Sequence, residues 1–264
     1  MRIAICVKRD VYGLLAARFF AARLGFAQLR FFCSVKTRQA EDDVPALRVM
    51  KLLERDVAID ALAPMEAPMP GLPHPKDWVP LYDMRADGGA AVLLGFQPDI
   101  VISARFSLIF PQRVIGAVPR GIINVHPGAL PGYRGLFAPF WQVLHGEREL
   151  GCTVHLVDKG IDTGAILGTA RVPFDPGRSL MWHTAALYRG GIAVAAEAAT
   201  ILARGGQPAS AVQQDGGAYF RFPTAADFAA LPVPIASARD YAEVLGDAFG
   251  PVASQSGAPQ ECAA

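Results

Sequence analysis

From Arg2 to Leu202 short apolar runs alternate with longer helix-like stretches, and this alternation restricts the fold more than any other feature of the chain. Strands that take turns with helices assemble into a mostly parallel sheet whose apolar faces those helices must cover. Arg2-Ile3-Ala4-Ile5-Cys6-Val7 reads as the opening strand and Val11 to Gly25 as the helix after it. Phe26 to Val35 holds a second strand, Pro45 to Glu54 a helix and Val57-Ala58-Ile59 a short strand. Leu62 to Pro80, rich in proline, reads as an irregular loop, and Leu81 to Gly95 returns to helix before the strand Ile100-Val101-Ile102-Ser103. Phe137 to Gly146 is a helix expected to turn Trp141 and Leu144 inward, and Leu180 to Leu202 a long alanine-rich helix covering the sheet. The expected architecture is α/β: an open, mostly parallel sheet with helices on both faces over residues 1–205, and a small C-terminal appendage over 206–264. In the appendage Gln207 to Leu231 reads as a small strand pair and turn, and the Ala-, Gly- and Ser-rich tail from about Pro251 is expected to be disordered.

Within that frame one stretch carries chemistry. Asn124 and His126 follow the apolar run Gly121-Ile122-Ile123 and alternate with Val125, so on a strand they share a face. Pro127-Gly128 then ends the strand and opens a loop, Leu130-Pro131-Gly132-Tyr133-Arg134-Gly135, where an open α/β sheet places its ligands. Cys152 to Asp158 reads as another strand, and Lys159-Gly160-Ile161-Asp162-Thr163-Gly164 as the loop leaving it. Asn124, His126 and Asp162 together offer a carboxamide donor, an imidazole and a carboxylate, able to stabilise an oxyanion and move protons in an acyl-type transfer. Taken singly each has a bland explanation, since Asp-Thr-Gly is often only a turn and a strand histidine is often structural. His74, His145 and His183 are assigned to surface or packing roles, and His155, on the strand before Asp162, is a weak candidate for the site.

These segments resemble the folate-dependent formyltransferase family, which includes glycinamide ribonucleotide formyltransferase, methionyl-tRNA formyltransferase and the sugar N-formyltransferases. The resemblance rests on the Asn-x-His pair, the Leu-Pro-x-x-x-Gly loop, Asp162-Thr163-Gly164 after a Thr-Val-His strand, and Pro98 to Pro111 before them; it runs from roughly Gln97 to Leu202. It implies a Rossmann-like catalytic domain over 1–205, 10-formyltetrahydrofolate as formyl donor, and a small-molecule amine as acceptor. By resemblance Phe106, Ser107, Leu108 and Ile109, with Val157, Asp158, Gly160 and Ile161, line the pterin pocket. The implied catalysis has Asn124 and protonated His126 holding the oxyanion, with Asp162 keeping His126 charged and relaying the amine proton. Lys8, Arg9 and Arg134 are weaker candidates for contacts to a substrate. The alternatives are a 10-formyltetrahydrofolate hydrolase and a non-catalytic folate- or nucleotide-binding protein.

Composition narrows the partners. With 25 basic and 24 acidic residues and a formal charge of +1, the chain lacks the basic excess of a nucleic-acid binder. After Leu202 there is no room for the five strands of an RNA-binding barrel, which argues against tRNA as acceptor, and a strand beginning at Met1 argues against a preceding hydrolase regulatory domain. Cys6, Cys33, Cys152 and Cys262 lack zinc or Cys-x-x-Cys spacing, so no metal is expected and the thiols read as reduced, in a cytoplasmic protein. No secretory signal is visible, and Arg18, Arg23 and Arg30 interrupt the apolar stretch Tyr12 to Phe32, so no membrane span is expected. Lys8-Arg9-Asp10-Val11-Tyr12-Gly13 is not a dinucleotide fingerprint, which leaves a nicotinamide cofactor unsupported. A homodimer is compatible with the sequence and not legible in it.

Overall fold

In the computed structural model the described residues are 1–35, 43–57, 72–214 and 216–250. Strand β1 (Arg2–Lys8) is buried through its middle, and Asp10 starts helix α1 (Val11–Arg23) by accepting the Gly13 N–H at 2.9 Å. Then come β2 (Gln28–Ser34), α2 (Pro45–Lys51, continued as a π-helical turn Leu52–Asp56), β3 (Val79–Leu81), α3 (Gly89–Gly95), β4 (Ile100–Ala104), α4 (Gln112–Ile115) and β5 (Ile122–His126). The second half holds β6 (Tyr133–Gly135), α5 (Ala138–Leu144), β7 (Glu149–Leu156), β8 (Ile166–Pro173), α6 (Leu180–Ala203), β9 (Ala218–Phe220), α7 (Ala225–Ala229) and α8 (Ala238–Phe249).

Among the described residues seven strands form one sheet in the order β3-β2-β1-β4-β5-β7-β8. The first five are mutually parallel, while β7 runs antiparallel to β5 and β8 antiparallel to β7. The chain winds outward from β1 through β2 to β3 and then returns to lay β4 on the other side of β1. The carboxyl ends of β1 and β4 therefore splay apart, the usual position of a binding crevice in such sheets. On one face α1, α6 and α8 bury Leu15, Phe20, Leu187 and Ile192 against Ile3, Ile5 and Ile102. On the other, Leu93 and Phe96 from around α3 and Val114 of α4 cover Ala4, Phe32 and Val101. Helix α6 is long and apolar enough to cross a bilayer, but here it packs on the sheet with Leu187, Ile192, Ala195 and Ala199 fully buried. At the sheet's two margins β3 carries Pro80, and β8 carries Arg171, paired with Glu149, and ends at Pro173.

The expected α/β architecture is present, with several local corrections. The helix expected from Leu81 begins only at Gly89, because Leu81 completes β3 and the Asp83 carboxylate instead accepts the Arg85 N–H at 2.9 Å in a turn. Val57 continues the helical turn rather than opening a strand, while Ala58 and Ile59 lie outside the described residues. So do residues 62–71 of the expected loop, whose described remainder forms a 3-10 turn at Pro75–Asp77 and then β3. In α5 Trp141 and Leu144 pack against the core as expected but stay half-buried, Trp141 also stacking on Phe220 at 5.1 Å, while Phe140 and Val143 are buried deeper. Among the described residues the appendage forms no local strand pair: β9 runs parallel to β6, which lies far back in the sequence, and Ala211 bridges to Ile166. The tail from Pro251, with Cys262, lies outside the described residues.

Candidate active site

Strand β5 presents Asn124 and His126, and the β7 strand beside it presents His155 opposite Asn124 in the register. Asn124 Nδ2 lies 3.1 Å from His155 Nε2, and His155 Nδ1 lies 2.7 Å from the Leu156 carbonyl. The carbonyl can only accept, so His155 carries its hydrogen on Nδ1 and takes one from the Asn124 amide at Nε2. That leaves the second Asn124 N–H for another acceptor. His126 Nε2 is 2.6 Å from the Tyr133 carbonyl, which by the same reasoning puts a hydrogen on Nε2 and turns Nδ1 toward Asp162, 3.6 Å from its Oδ2. Asp162 Oδ1 is also 3.6 Å from His155 Nε2, and Oδ2 accepts the Gly135 N–H at 2.8 Å. The four side chains thus surround one point at the carboxyl end of β5.

Local chemistry explains how they are held. The loop after His126 is tied down by Thr153, whose hydroxyl donates to the Gly128 carbonyl at 2.8 Å and accepts the Leu130 N–H at 3.1 Å. Fully buried Gln142 bonds the Pro127 carbonyl at 3.2 Å and both polar groups of the Gly151 backbone. A methyl group on Gly128 would fall 2.5 Å from His126 Nε2, so only glycine lets the loop fold back over the ring. Asp162 sits in the left-handed region at φ 55°, which aims its carboxylate back toward β5.

Burial lowers the His126 pKa below its usual 6.5, and this outweighs the opposing pull of Asp162 and the Tyr133 carbonyl. The lowered pKa disfavours the standing charge that the resemblance implies for His126. Burial opposes ionisation of Asp162 as well, but His126, the nearby His155 ring and the Gly135 N–H overcome it and bring the carboxyl down to about 2. The two shifts are consistent, because at the acid pH where Asp162 titrates His126 already holds its proton.

A cavity of about 310 Å³ opens over this cluster. Its lining includes Asn124, His126 and Asp162 and all eight residues expected around the pterin, namely Phe106 to Ile109, Val157, Asp158, Gly160 and Ile161. Lys8 also reaches it. Arg9 and Arg134 are not in the lining: Arg9 Nη2 lies 3.9 Å from Cys33 Sγ, and Arg134 Nη2 donates to Gln213 Oε1 at 3.2 Å. His155, weak on sequence, belongs to the cluster. Three further features were missed. Tyr219 and Phe222 of the C-terminal segment form part of the wall. Arg105, at the end of β4, lines the cavity while bridging buried Asp10 at 2.9 Å and Glu54 at 2.5 Å. Tyr12 and Tyr188 stack beside it with ring centroids 5.6 Å apart. The Thr-Val-His alternation could have promoted His155; nothing local announces the others. Among the described residues no group of three or more His, Cys, Asp or Glu is placed to hold a metal ion.

Residues 80–187 match the formyl transferase family. That segment holds Asn124, His126, Asp162 and the eight pocket residues, and it bears out most of the span over which the sequence suggested the likeness. Over 85 residues the chain is 41% identical to a methionyl-tRNA formyltransferase of Syntrophus aciditrophicus, covering 32% of this chain and 27% of that protein. Over 77 residues it is 39% identical to a GDP-perosamine N-formyltransferase of Brucella melitensis, covering 29% and 30%. The chain thus spans less than a third of the length of these relatives. Among solved structures, the formyltransferase PseJ of Anoxybacillus kamchatkensis, in complex with UDP-4,6-dideoxy-4-formamido-L-AltNAc and tetrahydrofolate, matches with a TM-score of 0.53 at 17% identity, over 83% of this chain and 85% of that one. Identity that low speaks to the fold, which is the same open, mostly parallel sheet.

Proposed function

We propose that the protein transfers a formyl group from 10-formyltetrahydrofolate to an amine of a small metabolite, such as an amino sugar linked to a nucleotide or an amino-acid-type amine or hydroxylamine. The observation that carries this reading is the convergence of Asn124, His126 and Asp162 on one cavity, with His126 Nδ1 and Asp162 Oδ2 3.6 Å apart. When the ring is neutral both atoms are acceptors, so the gap between them suits an N–H donor such as the attacking amine. The walls fit the donor's flat ring: Phe106, Leu108, Phe110 and Val157 are apolar, and Ile109 and Ile161 at the rim stay 70% and 46% exposed. The near-balanced charge favours a small acceptor over a nucleic acid.

The free N–H of Asn124 holds the negative charge that develops on the formyl oxygen as the amine attacks. His126 Nδ1 takes the proton the amine gives up, and the ionised Asp162 carboxylate stabilises the imidazolium so formed. The same proton then leaves His126 for the departing nitrogen of the donor, which returns the ring to its neutral state. His155 keeps the Asn124 amide turned into the site by accepting its other hydrogen.

Purified protein incubated with 10-formyltetrahydrofolate and a panel of amines should yield a product heavier by one formyl group, and His126→Ala should slow its formation by at least about a hundredfold. Formate release at the same rate with and without any amine would make the protein a hydrolase instead. Donor binding with neither product would make it a binding protein.

A further inference from the structure

Gln213, in the segment after α6, makes three hydrogen bonds with one side chain. Its Nε2 donates to the backbone carbonyls of Asp162 at 3.0 Å and Gly164 at 2.7 Å, while its Oε1 accepts from Arg134 Nη2 at 3.2 Å. Arg134 immediately precedes Gly135, the residue whose N–H holds the Asp162 carboxylate. The next residue, Leu136, donates its N–H to the Phe220 carbonyl at 2.9 Å, and β9 pairs with β6 along Tyr133–Gly135. A closed ring results: Asp162 carboxylate to Gly135, Arg134 to Gln213, and Gln213 back to the Asp162 carbonyl. The backbone it encloses is in the left-handed region, a conformation that costs an aspartate energy and persists only when neighbours over-determine it.

We propose that Gln213 is a positioning residue for Asp162, so that the C-terminal segment is part of the catalytic machinery rather than an appendage, and that Arg134 serves this ring rather than a substrate. The inference rests on the reading of Asp162 as the partner of His126. Gln213 does not reach the cavity and touches no reacting atom. It fixes where the loop carries its carboxylate.

The test needs no acceptor. In protein labelled at histidine, nuclear magnetic resonance follows the titration of His126, whose charged and polar neighbours are Asp162, His155 and the Tyr133 carbonyl. Asp162→Asn should lower the His126 midpoint by about one pH unit, the effect of removing a carboxylate at this range. Gln213→Met, which keeps the bulk and deletes the bonds, should lower it by roughly half as much as the carboxylate drifts away. In the Asp162→Asn background Gln213→Met should then change nothing, since no charge remains to be misplaced. If Asp162→Asn moves the midpoint and Gln213→Met does not, the positioning role is overturned while the pairing stands. If Asp162→Asn itself leaves His126 unmoved, the pairing is wrong and the inference falls with it. Should Gln213→Met fail to fold, Arg134→Met opens the same ring from its other side, and an unmoved midpoint there overturns the proposal equally.

Discussion

Asn124 and His126 are held in a different way from Asp162, though all three face one cavity. The first two sit on β5, between two hydrogen-bonded neighbours in the middle of a buried sheet. Their backbone is fixed by the ladder, and their rings and amides need only local partners. Asp162 sits on a loop with no ladder, in a strained backbone conformation, and is held by Gly135 and Gln213 from two other parts of the chain. Strand-borne groups inherit their precision from the fold. A loop-borne group must have it supplied, and here the supply comes from residues distant in sequence.

The largest expected effect treats the two regions alike. His126→Ala, Asn124→Ala and Asp162→Ala should each lower kcat by roughly two to four orders of magnitude, with donor affinity changed far less, because these groups act on charge that appears only in the transition state. On the proposed mechanism His126 and Asp162 work as a unit, so the double variant should cost little more than the worse single one. Losses that multiply would show that Asp162 acts independently.

The next separates the regions. Gly135→Ala places a methyl 2.4 Å from the Phe220 carbonyl at a residue with φ +94°. It should cost about 1–3 kcal/mol of stability and lower the melting temperature by several degrees. It should also reduce turnover by displacing the N–H that holds Asp162, while the strand-borne Asn124 and His126 stay in place. Full activity in a destabilised variant would mean that the loop does not depend on that bond.

Acid should distinguish them as well. The folded pKa of His126 lies below the unfolded 6.5, so the unfolded chain binds the extra proton first and stability falls as pH drops from 6.5 through the folded value. Buried His183 acts with the same sign. Asp162 contributes stability above the ordinary carboxyl range, and that contribution is lost only as pH falls through about 2. Melting curves between pH 7 and 5 should therefore slope less in His126→Asn and should slope as in the parent in Asp162→Ala apart from the altered His126. Activity that requires neutral His126 should rise with pH through that same low midpoint.

Smaller still, Ile109→Asp should weaken binding of a stable 10-formyl folate analogue by roughly tenfold, as a charge replaces apolar wall. Undiminished affinity by calorimetry would move the donor elsewhere. Least of all, Arg171→Ala removes a pair whose side chains are 68% and 48% exposed, and should shift stability by no more than about 0.5 kcal/mol.

What the sequence made legible follows the same division. Periodicity identifies β1, α1, β4, β5, β7 and α6, because each carries its own pattern of apolar residues, and the Asn124 and His126 alternation follows from β5. It caught only part of the inward face of α5, setting Trp141 and Leu144 on the core but not the more deeply buried Phe140 and Val143, since a helix with apolar residues on several sides does not declare which side is deepest. Nor did it show that β9 would choose β6 as partner, because a three-residue strand names no partner of its own. Arg105 carries no local signal, because its partners Asp10 and Glu54 come to it from two other segments. The ionisation of His126 depended on burial, which no motif reports.

The two margins of the sheet bear on how this molecule can meet others. An open sheet ends in strands with unused hydrogen-bonding groups, and those rows invite any extended chain to dock and continue the ladder. Here β3 has Pro80 at its centre, which has no N–H to offer, and β8 presents a charged Arg171 and stops at Pro173. Among the described residues these features discourage lateral growth at both margins. Strand-to-strand zippering of concentrated copies through β3 or β8 is thereby disfavoured.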